Sequence, residues 1–201
     1  MKFNKIAVLA LFSAVAGMSQ ASTLHFSGEI ATQKDVIVIP FTLDTDTSNV
    51  RVWTDSYLNG VNFDPVTAVW QADGALIRQN DDDSSIAPGQ GFYDSGLVFD
   101  HLAAGKYFFT IATFNNFAVG GHLSDGFLFD SQAAIPLARW CQPSSQCGMG
   151  AHFSVHLEGV SSAVTPSVPE PASYTLLMSG LGLVGFFARR RKTASRFSSV
   201  T

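Results

Sequence analysis

Between residues 22 and 160 the apolar side chains alternate with polar ones, and no long segment repeats them at helical spacing. Alternation has the period of a strand with one face buried. Leu24, Phe26 and Ile30 fall on one face of a first strand, with Gly28 between them. Residues 36–43 form a nearly continuous apolar run broken by Pro40, which predicts a buried strand with a bend or an edge. Val50, Val52 and Thr54 alternate with Arg51 and Trp53. Residues 66–71 and 75–79 flank Ala72-Asp73-Gly74, a hairpin turn with glycine available for positive φ. Residues 97–102 and 107–113 flank Ala103-Ala104-Gly105-Lys106, which reads as a second hairpin. Residues 127–129, 135–140 and 152–160 complete a set of nine or ten short strands. The expected fold is all-β: an antiparallel β-sandwich, jelly-roll-like. The 17 phenylalanines suit it, because aromatics favour strands and fill a two-sheet core.

The two ends have a different character. Lys2 and Lys5, the apolar residues 6–16, and Ser19-Gln20-Ala21 predict a secretory signal peptide over residues 1–21. Residues 172–188 (ASYTLLMSGLGLVGFFA) carry no charge. As a helix they would cover roughly 25 Å, the short end of a transmembrane span. Arg189, Arg190, Arg191 and Lys192 follow and resist translocation, so residues 189–201 are read as a cytoplasmic tail. The sandwich domain is placed at residues 22–160 and an extended linker at 161–171.

Val168, Pro169, Glu170 and Pro171, the apolar run and the basic block stand in a fixed order. That order resembles the PEP-CTERM sorting signal of Gram-negative bacteria, although many members stop sooner than Thr201. The resemblance implies an exported protein held in the inner membrane, with its domain in the periplasm, until exosortase removes the signal. It also implies delivery to the cell surface or the extracellular matrix of a biofilm, with exopolysaccharide as a partner there.

A second resemblance lies inside the domain. Asn62-Phe63-Asp64-Pro65, Val69-Trp70-Gln71-Ala72-Asp73-Gly74, Asn80-Asp81-Asp82 and Leu102-Ala103-Ala104-Gly105-Lys106-Tyr107-Phe108 are similar, in that order, to the bacterial pre-peptidase C-terminal domain. It covers residues 24–160, most specifically 62–113, and implies a β-sandwich with an accessory, non-catalytic role. Relatives often carry a second acidic residue where this chain has Ile37, which weakens any cation site at Asp35.

Charge narrows the partners. Of the 12 Lys and Arg, two lie in the signal peptide and five after the apolar run, leaving five against 15 of the 16 acids. A domain near −10 repels nucleic acid and anionic lipid and suits cations. Cys141 and Cys147 predict a disulfide in an exported chain. C-x5-C alone lacks the four ligands of structural zinc.

Asn80, Asp81, Asp82 and Asp83 are the densest polar feature, with Asp64, Asp73 and Asp94 within reach through the sandwich loops. Crowded carboxylates are either solvated or bridged, and calcium is the cation that accepts six to eight oxygens in irregular geometry. Apart from calcium no cofactor is expected. Asp44-Thr45-Asp46-Thr47-Ser48 begins like an EF-hand loop, but Asn49 replaces its glycine and strands flank it. His152 and His156 would lie about 13 Å apart on a strand, too far to share one ion. Neither G-x-S-x-G nor H-E-x-x-H occurs, so no enzyme is expected. The leading expectation is a structural or adhesive exported protein. A carbohydrate-binding module using Trp53, Trp70, Trp140 or Tyr57 is the alternative, and a secreted hydrolase a third.

Overall fold

A computed structural model describes residues 22–143 and 146–164. The signal peptide, the motif at 168–171, the apolar run and the basic tail lie outside the described residues. Among those described, no helix is long and apolar enough to cross a membrane.

Two antiparallel sheets account for the nine strands of the described residues. One sheet runs β1 (Thr23–Glu29), β8 (His152–Glu158), β3 (Thr47–Thr54), β6 (Gly96–Leu102). The other runs β5 (Leu76–Asn80), β4 (Pro65–Gln71), β7 (Gly105–Thr113), β2 (Ile37–Leu43), β9 (Ser162–Ala163). The pairing is nested: β1 with β8, β2 with β7, β3 with β6, β4 with β5. The chain is one long hairpin, doubled back at β4–β5, whose successive pairs fall in alternate sheets.

Alternation dictates which side chains go inside. Ile37, Ile39, Phe41 and Leu43 of β2 are buried in the same cluster as Phe153, Val155 and Leu157 of β8, from the opposite sheet. Each such side chain contributes roughly 1.5–3 kcal/mol of transfer free energy. Gly28 is small for a specific reason. A Cβ there would stand 2.9 Å from the Phe153 ring on the neighbouring strand.

The five-stranded sheet is covered on its outer face as well. Val69 joins the core, whereas Trp70, its neighbour, faces outward, donates from Nε1 to Thr110 Oγ1 (2.9 Å) and meets Phe127 edge-on. The long connection between β7 and β8 supplies that cover. Two of its segments, 127–129 and 135–140, were expected as strands and are not. Phe127 makes an isolated bridge to Ala118 followed by a turn, and Leu137–Arg139 is a single 3-10 turn. Phe129, Leu137 and Trp140 are apolar because they pack onto the sandwich, not because they alternate in a sheet.

Two other expectations change. Ala103-Ala104 does not close a hairpin: β6 pairs with β3 and β7 with β2 and β4, so the turn carries the chain from one sheet to the other. A corner between sheets needs the same small residues as a hairpin. The sheet also runs past residue 160. Ser162 and Ala163, assigned to the linker, pair with Thr42 and Phe41 as β9, and Val164 N–H donates to Pro40 C=O (2.9 Å). Pro40 has no N–H to lose, which suits a strand whose outer neighbour is only two residues long.

Candidate functional site

The doubled hairpin β4–β5 places the site. Its turn is the expected one: Gly74 has φ +88°, and Asp73 Oδ1 accepts from Ala75 N–H (2.9 Å). At the open end Thr67 faces Asn80. Asp64 therefore enters β4 beside the point where Asp81 and Asp82 leave β5. One carboxylate oxygen from each of the three lies within 4.8 Å of the other two, and among the described residues no other group of three or more His, Cys, Asp or Glu comes together in this way.

The three line a cleft of about 240 Å³ with Tyr93, Phe114, Gln142 and Gln146. None of these is basic. Asp64 is 4 % exposed. Its Oδ2 accepts from Gln142 Nε2 (3.0 Å), and its backbone C=O accepts from Phe114 N–H (2.8 Å). Its Oδ1 is buried and has no hydrogen-bond partner, and the same is true of Asp81 Oδ1. Burial, then the Asp81 charge, raise the Asp64 carboxyl to about 7; Asp82 and Asp94 add to the rise and the Gln142 hydrogen bond opposes it. Burial and the Asp82 charge raise Asp81 to about 6. Burial raises Asp82 as well.

A disulfide-closed loop lends Gln142 and Gln146 to the rim of this cleft. Cys141 and Cys147 are bonded, with Cα atoms 4.0 Å apart. The loop they close carries Gln142 onto Asp64 and Gln146 onto Tyr57, whose Oη accepts from Gln146 Nε2 (3.2 Å). Tyr57 in turn meets Tyr93 edge-on.

Of Asn80, Asp81, Asp82 and Asp83, only Asp81 and Asp82 face the cleft with Asp64. Asn80 Nδ2 donates to Gly96 C=O and Asp82 C=O, tying the strand end down. Asp83 Oδ1 accepts from Ser85 N–H and Oγ in a local turn. Asp94 ties its loop to the end of β3, accepting from Thr54 Oγ1, Tyr57 N–H and Gly91 N–H, and Asp73 stays in the hairpin turn at the far end of the strands. Asp35 accepts from Thr32 N–H, and Asp46 from Ala104 N–H. His152 and His156 lie on β8 as expected; His156 bonds Asp55 (2.8 Å) and stacks on Trp53.

The aromatic residues named as a sugar platform do not form one. Trp53, Trp70, Trp140 and Tyr57 are all buried. Phe92 is 71 % exposed instead, edge-on to Tyr93 at the mouth of the cleft. Sequence reading passed over Phe92, Tyr93, Phe114, Gln142 and Gln146, none of which belongs to a motif.

Residues 167–192 match the PEP-CTERM protein-sorting motif, which includes Val168, Pro169, Glu170, Pro171 and the basic block from Arg189 to Lys192. The match supports an exported chain, anchored in the membrane before processing and handled by exosortase. No curated protein matches the chain. None of these comparisons bears on the resemblance of residues 24–160 to the pre-peptidase C-terminal domain.

Proposed function

We propose that this chain is a non-catalytic exosortase substrate: a jelly-roll sandwich exported through its signal peptide and delivered, after processing, to the cell surface or the extracellular polysaccharide matrix. There it plays a structural or adhesive part. The PEP-CTERM motif at residues 167–192 carries the reading. The nested sheets ending at Ala163 support it, since they form a closed module joined to the motif by a few residues. So does the Cys141–Cys147 disulfide, which suits an oxidising compartment.

The test is the C-terminal mass of the protein recovered from a host with and without exosortase. A terminus near residues 169–172, seen only with the enzyme, is the expected result. An intact Arg189-Arg190-Arg191-Lys192 tail on the mature surface form would sink the idea.

A carbohydrate-binding role is the second reading, favoured by one observation: exposed Phe92 beside half-exposed Tyr93 at the edge of the acidic cleft. An aromatic ring can stack on a sugar face. Glycan-array binding abolished by Phe92→Ala would favour this reading, and a blank array would remove it.

A further inference from the structure

A buried carboxylate is held in a folded protein by hydrogen bonds, by a cationic side chain, by protonation or by a metal ion. Asp64 has one side-chain hydrogen bond and keeps a buried oxygen with no partner. Asp81 keeps another in the same cleft. Among the described residues no lysine, arginine or histidine lines the cleft. Three carboxylates whose oxygens lie within 4.8 Å of one another repel strongly when ionised. Water can fill such a space and complete hydrogen bonds, but it brings no charge. A dication does both.

We propose that Asp64, Asp81 and Asp82 bind a calcium ion in the cleft rimmed by the Cys141–Cys147 loop. The donor set is all oxygen, which excludes the softer metals that seek sulfur or imidazole. The three carboxylates come from two strand ends and not from one rigid frame, so their geometry is irregular. Calcium accepts irregular sets of six to eight oxygens, whereas magnesium demands a near-ideal octahedron and keeps its waters. The cleft of about 240 Å³ leaves room for waters to complete the shell. Asp64 is the buried anchor, and Asp81 and Asp82 close over the ion from the other strand. Gln142, donating to Asp64 Oδ2, orients the anchor and leaves Oδ1 for the ion.

The experiment uses the full chain in detergent, titrated with terbium as a calcium analogue. Excitation of Tyr93, on the cleft wall, should sensitise a terbium signal that saturates at one ion per chain and is displaced by calcium. Asp81→Asn and Asp82→Asn keep side-chain shape and remove a repelling charge, so both should fold, as far-UV circular dichroism will check. Each should weaken binding at least about 10-fold, the loss that even an outer-shell partner brings. Asp44→Asn, outside the cleft, should bind like wild type. A saturable signal that survives both cleft substitutions would overturn the assignment. So would a folded wild-type chain with no saturable signal and no rise in melting temperature when calcium is added.

Discussion

Asp94 and Asp64 are both buried aspartates on loops at the same end of the sandwich, and they are held in opposite ways. Asp94 is enclosed by donors. Its Oδ1 accepts from Thr54 Oγ1 (2.9 Å) and Tyr57 N–H (3.1 Å), and its Oδ2 from Gly91 N–H (2.7 Å). Asp64 has a single donor on its side chain, an orphaned oxygen and two carboxylate neighbours. Burial is common to both, so burial does not mark a site. What differs is whether the protein itself satisfies the charge. Asp94 is part of the fold's own bonding, and Asp64 is left for something that the chain does not supply.

The comparison can be broken most directly at Asp94. Asp94→Ala leaves Tyr57 N–H and Gly91 N–H without their acceptor, and Thr54 Oγ1 with only Ser95 C=O (3.3 Å), each lost partner costing about 1–3 kcal/mol. A loss of about 5 kcal/mol is expected in urea unfolding, enough to threaten folding. A loss below about 1 kcal/mol would show that Asp94 is not held as described.

The next effect is a pH dependence at Asp64, in chelator. Its folded pKa, about 7, lies above the ordinary aspartate value of 3.8, because burial and then Asp81, Asp82 and Asp94 oppose its ionisation. The fold thus holds the proton more tightly than the unfolded chain does. The associated stability is complete below about pH 4 and is lost as pH rises through 7. Roughly 4 kcal/mol bounds the effect. Thermal melts from pH 4 to 8 should fall for wild type and fall less steeply for Asp64→Asn, in which Asp81, raised to about 6, still titrates. Equal slopes in the two proteins would contradict the assignment.

Smaller again is the disulfide. Cys141→Ser with Cys147→Ser should cost about 2 kcal/mol, the value expected for closing so short a loop. It should also weaken terbium binding, because Gln142 loses its frame. Unchanged binding would separate the loop from the cleft. Least of all is Asp83→Ala, whose side chain closes only a local turn with Ser85. A change within about 0.5 kcal/mol is expected, as for a substitution away from the core. A larger loss would mean that Asp83 belongs with its two neighbours.

Much of this site was legible in the sequence because a hairpin is local. Once Asp73-Gly74 is read as a turn, the two strands run back side by side and bring Asp64 near the acidic run at 80–83; the bulge at Val69/Trp70, which sets Thr67 opposite Asn80, was not legible. Which members of that run turn inward was not legible: Asn80 and Asp83 differ from Asp81 and Asp82 only in the backbone groups that their loops present. Gln142 and Gln146 were invisible for a stronger reason. They reach the cleft through the connection between β7 and β8, and no local pattern records a contact across 78 residues. The strands misread at 127–129 and 135–140 fail in the same way. Phe129 and Trp140 are apolar through long-range packing, and spacing along the chain cannot tell that from a sheet. The general plan survived, since alternation, or for β2 an apolar run, marked every described strand but β9, and turn signals separated them.

The pairing of β9 with β2 sets the length of a leash. Val164 is the last described residue and is fixed to the sheet by its hydrogen bond to Pro40. Only residues 165–171 separate it from the apolar run predicted to enter the bilayer at Ala172. Seven residues, even fully drawn out, span no more than roughly 25 Å. An apolar run that enters the bilayer at Ala172 would hold the domain of an anchored precursor within that distance of the lipid. An enzyme that cuts near Pro169-Glu170-Pro171 would then have to reach into that short interval. Inserting about ten flexible residues after Val164 would lift that restriction on larger, soluble proteases.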